Sequence, residues 1–222
     1  MKLNKITEWL DRTLKVGDFD DVSNNGLQVE REGEDVTTVA FAVDASVRAV
    51  EAAAKAGAQL LVVHHGISWG GGIRRVSGGV GRVVRAAIKA NLAIYACHLP
   101  LDAHERLGNN AQLAKGMGLK GVRKAFSYHG NVIGVIGMLD NLKVGICSGG
   151  AGEFAEEAKR LGCDVYLTGE ASWGDVIAAE NCGMKMYCGG HYATEVFGVR
   201  AVSVEMKRAL KVATVDLTEE LR

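Results

Sequence analysis

The chain of 222 residues carries an internal duplication, and this repeat limits the possible fold more than any other feature. Residues 51–57 (EAAAKAG) resemble residues 156–162 (EEAKRLG), and each copy ends in a glycine that precedes a strand-like apolar run of equal length. Residues 92–98 and 184–191 extend the match, with one extra glycine in the second copy. Strand-like runs alternate with helical periodicity around both copies, which is typical of βαβ units. The sequence therefore predicts an α/β fold of two similar lobes.

The boundary between the two lobes is expected near the middle of the chain. Between residues 118 and 131 the hydrophobic periodicity lapses, while glycine, lysine and arginine accumulate. We therefore predict a first lobe over residues 1–120, a short linker to about residue 131, and a second lobe over residues 132–222. The two lobes are expected to form one compact unit.

Charge and composition argue against several classes of protein. Twenty-six basic residues balance 26 acidic ones, so the basic excess that is typical of nucleic-acid and membrane binders is absent, and a nucleic-acid partner is not expected. No apolar run approaches the ~18 residues of a membrane span. The amphipathic start of the chain contains acidic residues, unlike a signal or transit peptide. Five cysteines without a CxxC pair favour reduced core thiols, so a soluble cytoplasmic protein is expected.

Metal-competent side chains follow the apolar strands of both lobes. His64 and His65 come directly after the apolar run 60–63, and an acid lies four residues after each of two later histidines, in the pairs His98/Asp102 and His191/Glu195. Open α/β sheets bind their ligands at the carboxyl ends of their strands, and two facing lobes bring these ends to one crevice.

Five of these groups are the predicted metal ligands: His64, His65, Asp102, His191 and Glu195. Imidazoles and carboxylates suit Zn, Fe, Mn, Ni or Co, and no thiolate cluster indicates a closed structural zinc site. The number of ligands and their strand-end positions predict a site for two divalent transition-metal ions in the crevice, with Asp102 and Glu195 as bridging carboxylates. His104 and His129 lie in polar loops without such a pattern, and a structural role is expected for both.

Two further residues are candidates for proton transfer. His98 can ligate a metal, or it can orient a ligand and shuttle a proton. Glu170 faces the same crevice by the repeat, where the second copy has Gly169-Glu170 in place of the two histidines. It is a candidate base, and the alternative is a carboxylate that stabilises a helix N-terminus.

Two glycine-rich segments are candidates for substrate binding. Residues 69–81 can form a mobile loop that brings Trp69, Arg74 and Arg75 to the substrate, or an ordinary surface loop. Ser148 and Gly149 lie between a strand and a helix, where backbone amides can bind a phosphate. The segment lacks the lysine of a P-loop, and a plain tight turn is an equal alternative.

These motifs, taken together and in order, resemble the NIF-three-like family, whose members are labelled GTP cyclohydrolase I type 2 homologs. The resemblance runs from about residue 20 to the C-terminus, and the His-His and His-x-x-x-Glu motifs are its specific part. The residues that carry it are 23–29 (SNNGLQV), 63–66 (VHHG), 98–104 (HLPLDAH), 148–150 (SGG), 168–170 (TGE) and 190–195 (GHYATE).

The resemblance implies two related α/β lobes around a dinuclear metal site and a toroidal homohexamer built as a trimer of dimers. It assigns the metal ligands to the same five residues, with Glu195 bridging the ions and His98 nearby. Many family members have a longer connection or an inserted domain where this chain has the short segment 118–142.

Two functions of different classes follow. The first is a metal-dependent hydrolase of a nucleotide or phosphoester, of the GTP cyclohydrolase I type 2 homolog kind, in which His98 or Glu170 handles protons and Arg74, Arg75 and the Ser148 loop hold a phosphate. The alternative is a non-enzymatic metal-binding protein that acts as a regulator or scaffold through partner interactions. A redox di-metal enzyme is a third, less favoured interpretation. An open coordination position beside a ligand-sized pocket would favour catalysis.

Overall fold

The computed structural model describes residues 1–222, which divide into two compact units. Unit 1 comprises residues 1–101 and 199–222, and unit 2 comprises residues 102–198. The helices are α1 (Leu3–Leu14), α2 (Val47–Lys55), α3 (Gly78–Lys89), α4 (Leu99–Asp102), α5 (Asn109–Gly116), α6 (Ala155–Arg160), α7 (Trp173–Cys182) and α8 (His191–Leu210). The strands are β1 (Gly26–Val29), β2 (Thr38–Asp44), β3 (Leu60–His65), β4 (Ala93–Ala96), β5 (Lys120–Tyr128), β6 (Asn131–Leu139), β7 (Leu142–Gly150), β8 (Val165–Glu170), β9 (Lys185–Cys188) and β10 (Ala213–Asp216).

Unit 1 is built on a five-stranded sheet of order β1-β4-β3-β2-β10. The strands β10, β2, β3 and β4 are parallel, and β1 pairs antiparallel with β4 at the edge. Because helices cover such parallel strands, their sequences are continuously apolar, as in residues 60–63. Helices α2 and α3 bury Ala49, Val50, Val83 and Ala87 in the same core as the strands.

Unit 2 has a sheet of order β5-β6-β7-β8-β9. Strands β5, β6 and β7 form an antiparallel meander, and β7, β8 and β9 are parallel. Helix α5 packs against β6 and β7, where Leu113, Val135 and Ile146 share one buried core. The parallel half of the sheet carries the carboxyl ends at which site residues are expected.

The duplication predicted from the sequence is present as a β-α-β-α-β segment in each unit. In unit 1 it runs β2-α2-β3-α3-β4, and in unit 2 it runs β7-α6-β8-α7-β9. The two matched glycines lie just beyond α2 and α6, where Gly57 has φ +71° and Gly162 has φ +75°. This left-handed conformation ends a helix at little cost only for glycine. The predicted α/β fold with two similar lobes is confirmed.

Two elements differ from the sequence-based boundaries. The expected linker over residues 118–131 contains β5, a strand whose first five residues are exposed, so no apolar alternation marks it. The last strand, β10, pairs in parallel with β2 and so joins the sheet of unit 1, although the sequence places residues 132–222 together in a second lobe. Pairing between strands that lie so far apart in sequence leaves no local signal. No helix has both the length and the apolar character that crossing a membrane requires.

Candidate metal-binding clusters

Three histidines of unit 1 converge where two neighbouring strands end. His64 and His65 are the last residues of β3, and His98 lies two residues beyond β4, its parallel neighbour. One ring nitrogen from each lies within 4.8 Å of those of the other two. The ring centroids of His64 and His98 are 5.2 Å apart, and those of His65 and His98 are 5.7 Å apart. We call these three side chains the histidine cluster.

Each imidazole of the histidine cluster is oriented through its Nδ1 atom. Nδ1 of His64 lies 3.0 Å from the carbonyl oxygen of Cys97. Nδ1 of His65 lies 2.8 Å from Asp44 Oδ1, and Nδ1 of His98 lies 2.9 Å from Asp21 Oδ1. Carbonyl and ionised carboxylate oxygens only accept hydrogen bonds, so each Nδ1 carries the hydrogen. A neutral imidazole in this tautomer keeps its lone pair on Nε2, which is the atom that can then bind a metal ion.

Asp21 is the most strongly held of these acceptors. Its side chain is 1% exposed. Its carboxylate receives hydrogen bonds from His98 Nδ1, Asn25 Nδ2 and the backbone amides of Ser23 and Leu99. Burial raises the pKa of this carboxyl, but the hydrogen bond and charge of His98, with the bonds from Asn25 and Ser23, outweigh burial and lower the pKa to about 2. Asp21 is thus ionised at neutral pH and fixes the imidazole of His98.

The turn after β3 is held by a glutamine that the sequence reasoning missed. Gln28 Oε1 accepts the backbone amide hydrogens of Ile67 and Ser68 at 2.7 and 3.2 Å. A Cβ atom on Gly66 would lie 2.2 Å from that same Oε1, so only glycine permits this approach. The same turn positions Trp69, whose indole Nε1 donates a hydrogen bond to the Gly66 carbonyl oxygen at 3.0 Å.

The structure brings only one of the three loop residues predicted to bind substrate to the histidine cluster. The Trp69 ring stands edge-on to His98 with centroids 5.1 Å apart, and 38% of the residue is exposed. Arg74 and Arg75 are exposed in the loop before α3, and no contact joins them to the histidines. Their predicted role in substrate binding stays a prediction.

A second group of ligating side chains, the carboxylate cluster, lies in unit 2 and consists of Asp102, His191 and Glu195. His191 and Glu195 lie one turn apart at the start of α8, with Nε2 of His191 3.4 Å from Glu195 Oε1. A carboxylate oxygen of Asp102 lies within 4.8 Å of one from Glu195. Asp102 and Glu195 are 6% and 3% exposed, and carboxylates buried together are stable only when cations or hydrogen bonds compensate them.

His191 is charged by its acidic neighbours when no metal is bound. The hydrogen bond to Glu195 has the largest effect on the pKa of His191 and raises it. Glu170 raises this pKa further, burial lowers it, and the result is a pKa of about 9. Glu170 Oε1 lies 3.2 Å from His191 Nδ1, and its side chain is 65% exposed. Glu170 therefore orients His191 in unit 2 as Asp44 and Asp21 orient histidines in unit 1.

Two fully buried asparagines hold Asp102 and the end of β7. Asn109 donates to Asp102 Oδ1 at 2.8 Å and accepts from the backbone amide of Gly198 in α8 at 2.6 Å. Asn110 accepts the backbone amide of Ser148 at 2.7 Å. The Ser148 hydroxyl lies 3.2 Å from Asp102 Oδ1, and it acts as a donor because Oδ1 belongs to a carboxylate. The asparagine pair carried no signal in the sequence beyond its place at a helix start.

The segment predicted as a phosphate cradle uses its backbone amides internally. The amide of Ser148 donates to Asn110, that of Gly149 to Thr194 Oγ1 and that of Ala151 to Thr168 Oγ1. The geometry therefore argues against an anion site at Ser148 and Gly149, which form the irregular end of β7 rather than a separate turn. A Cβ atom on Gly149 would lie 2.3 Å from Glu195 Oε1 and 3.3 Å from His191 Nε2, so the glycine backbone forms one wall of the carboxylate cluster.

Both clusters have the donor chemistry of a transition-metal site. The histidine cluster has three oriented imidazoles, and the carboxylate cluster has two carboxylates and an imidazole, which suits divalent Zn, Fe, Mn, Ni or Co. The histidine and acidic side chains could hold a metal ion. His104 has the structural role expected for it, because its Nδ1 accepts the backbone amides of Arg106 and Leu107. His129 is exposed beside Tyr128.

The sequence and structure match those of a described family of proteins. A family model described as Duf34/NIF3 (NGG1p interacting factor 3) matches residues 1–143 and 141–220. A protein of Pyrococcus horikoshii named GTP cyclohydrolase 1 type 2 homolog is 37% identical over 97% of each chain. One of the same name from Deinococcus radiodurans is 36% identical over 92% of this chain and 88% of its own. The crystal structure of a protein from Thermus thermophilus superposes with a TM-score of 0.86 over 98% of both chains at 28% identity.

Proposed function

The chain belongs to the Duf34/NIF3 family, and we propose that it is a hydrolase that uses two divalent transition-metal ions to cleave a nucleotide or a phosphoester. The observation that carries the proposal is the orientation of the histidine cluster. All three Nδ1 atoms lie against oxygen acceptors, and the ring nitrogens of the three side chains lie within 4.8 Å of one another, which is the arrangement of imidazoles at a metal site. Relatives named GTP cyclohydrolase 1 type 2 homolog support a hydrolytic reaction on a nucleotide.

In this proposal the chain holds one dinuclear site. The residues that hold the ions are His64, His65, Asp102, His191 and Glu195. The donor set of imidazoles and carboxylates fits the metals expected from the sequence, and their Nδ1 and Oδ1 atoms are held by neighbours as ligating groups are in metalloproteins. When bound, such ions supply Lewis-acid polarisation of the scissile group and lower the pKa of a nucleophilic water.

The chain itself supplies the groups that orient and move protons. His98 is the proposed base, and its Nε2 accepts a proton while Asp21 holds the hydrogen on Nδ1 and stabilises the resulting imidazolium. Glu170 is assigned the role of holding the Nδ1 hydrogen of His191. Asn109 fixes the orientation of Asp102 by donating to Oδ1. These contacts preorganise the groups before a substrate arrives.

Trp69 is the proposed substrate contact in unit 1. Its indole lies beside His98 and is 38% exposed, so it can stack on a planar group such as a nucleobase. Its position is set by the bond from Nε1 to Gly66, next to His65 at the end of β3. Trp69→Leu should raise KM for a nucleotide more than for an acyclic phosphoester.

Assembly and location are also proposed. We propose a homohexamer built as a trimer of dimers, by family resemblance, and a cytoplasmic setting in which the five free cysteines stay reduced. Exposed aromatic side chains in unit 2, Trp173 at 76% and Tyr187 at 59%, are available for contacts with other chains. Light scattering on the purified protein measures the assembly state directly, and a monomer would contradict the hexamer.

The same exposed aromatics support the second candidate function, a metal-binding regulator or scaffold. Two measurements separate it from the hydrolase. Elemental analysis gives the metal content, and a screen of GTP and bis(p-nitrophenyl) phosphate with the loaded protein gives turnover. The variant His64→Ala should lose metal and turnover together, while His129→Asn, at an exposed histidine with positive φ, should keep both. Metal without turnover on any nucleotide or phosphoester would favour the scaffold.

A further inference from the structure

Unit 2 contains a cavity of about 270 Å³ beside Asp102. Two chain segments supply its charged and polar side chains: residues 102–105, which begin at the last residue of α4, and residues 122–124 of β5. Ala111 and Val135 add apolar surface. This volume lies near the lower end of the range for small-molecule sites.

We propose that this cavity binds the anionic phosphate group of the substrate. The inference rests on the proposed function, since it places the phosphate next to Asp102, one of the proposed metal ligands. It names a subsite that differs from the one expected at Ser148 and Gly149, whose amides are used within the fold.

The cations of the cavity come from β5. Arg123 and Lys124 are consecutive exposed residues of this edge strand, and both line the cavity. Lys124 Nζ lies 3.0 Å from Glu105 Oε1, and the Glu105 side chain is 78% exposed. Exposed pairs of this kind are weak, because water solvates both partners well. A phosphate with two negative charges therefore competes well with the Glu105 carboxylate for Lys124.

His104 adds a donor of fixed tautomer to the same cavity. Its Nδ1 accepts the backbone amides of Arg106 and Leu107 at 3.1 and 2.9 Å. A neutral imidazole that accepts at Nδ1 carries its hydrogen on Nε2. The side chain that lines the cavity is therefore a donor at Nε2, as a phosphate oxygen requires. Arginine, lysine and an imidazole N–H together form a donor set typical of phosphate recognition.

Asp102 belongs both to this cavity and to the proposed metal ligands. Its carboxylate belongs to the carboxylate cluster, and the residue also lines the cavity. A phosphoester seated against Arg123 and Lys124 is therefore in the same cavity as Asp102, one of the proposed metal ligands. The apolar surface of Val135 suits the organic part of such an ester. The cavity thus selects a small phosphate-bearing molecule.

Calorimetric titration of inorganic phosphate into the zinc-loaded protein tests the inference with three matched variants. Lys124→Gln should weaken phosphate binding about tenfold, because one charge-assisted hydrogen bond is lost. Glu105→Gln should tighten it severalfold, because the competing carboxylate is removed. Lys120→Gln, an exposed lysine of the same strand that does not line the cavity, should leave it unchanged. Thermal melts check that all three variants fold.

The outcomes separate this inference from the proposed function. Opposite shifts for Lys124→Gln and Glu105→Gln, with Lys120→Gln unchanged, support the subsite. Equal phosphate affinity in all variants, or no binding to the parent, would overturn it while leaving a metal-loaded hydrolase intact. Zinc content is measured on the same samples, and its absence from the parent would refute the dinuclear site without deciding how the cavity binds phosphate.

Discussion

Replacing Gly149 by alanine tests how closely the backbone of β7 approaches the carboxylate cluster. Gly149 has φ +68°, and a Cβ atom there would lie 2.3 Å from Glu195 Oε1. Such a separation does not occur between real atoms, so the Glu195 carboxylate must move away. His191 Nε2, at 3.3 Å from the same Cβ position, would also be crowded. We expect the Gly149→Ala protein to bind metal about 10- to 100-fold more weakly, as when other groups that orient ligands are lost.

Two destabilising effects add in the Gly149→Ala protein. An alanine in the left-handed region costs about 1 kcal/mol relative to glycine. Displacing a buried carboxylate adds about 1–3 kcal/mol of overpacking. For a chain of this length, about 1 kcal/mol lowers Tm by roughly 2–4 °C. We therefore expect the Tm of Gly149→Ala to fall by about 4–16 °C.

The matched control is Gly162→Ala. Gly162 has φ +75°, but its Cβ position has only Lys143 Nζ nearby, at 3.7 Å, so the backbone cost is the same without the clash. Calorimetric melts and competitive zinc titration with a chelator should show a small Tm loss and unchanged zinc affinity for this control. Equal zinc affinity in both alanine variants would refute the argument that Gly149 limits the position of Glu195.

Three further results are expected. The Asp21 carboxyl has its pKa lowered from 3.8 to about 2, so its ionised form stabilises the fold above about pH 4, and this stabilisation is lost as the pH falls towards 2. Urea unfolding measures the free energy of unfolding across this range, and in Asp21→Asn its fall between pH 4 and pH 2 should be smaller by about 2 kcal/mol. His191 has its pKa raised to about 9 and is protonated at pH 7.5, so zinc binding should release close to one proton from it. Calorimetry in buffers of different ionisation enthalpy measures this proton release, and His191→Gln should abolish it. Asn109→Ala removes one hydrogen-bond donor to Asp102 Oδ1 and the side-chain acceptor of the Gly198 amide, so the free energy of unfolding should fall by about 1–3 kcal/mol and zinc affinity should fall too. Unchanged values would contradict the role of Asn109.

Much of the fold could be predicted because the repeated segments leave local signals. The matched glycines at residues 57 and 162 end helices, and apolar runs such as residues 60–63 are parallel strands covered on both faces. The placement of β10 beside β2 could not be predicted, since that pairing depends on contacts between residues about 175 positions apart. Strand β5 was missed because exposed residues at its start hide the two-residue alternation.

The site shows a similar division between local and long-range information. The convergence of His64, His65 and His98 could be predicted, because residues that follow neighbouring parallel strands lie at the same edge of the sheet. The residues that orient them could not, since Asp21 reaches His98 from 77 positions away and Asp44 reaches His65 from the neighbouring strand. Acids at such positions look like ordinary turn or strand-end residues until the partner histidine is placed beside them.

The most direct test of the dinuclear site is a crystal structure of the zinc-loaded protein, with anomalous diffraction data collected on both sides of the zinc absorption edge. The proposal predicts two anomalous zinc peaks, with ligands among the five residues that the proposal names. Crystals of the Glu195→Ala variant should lose at least one peak. A single peak, or none at these side chains in the parent protein, would contradict the account.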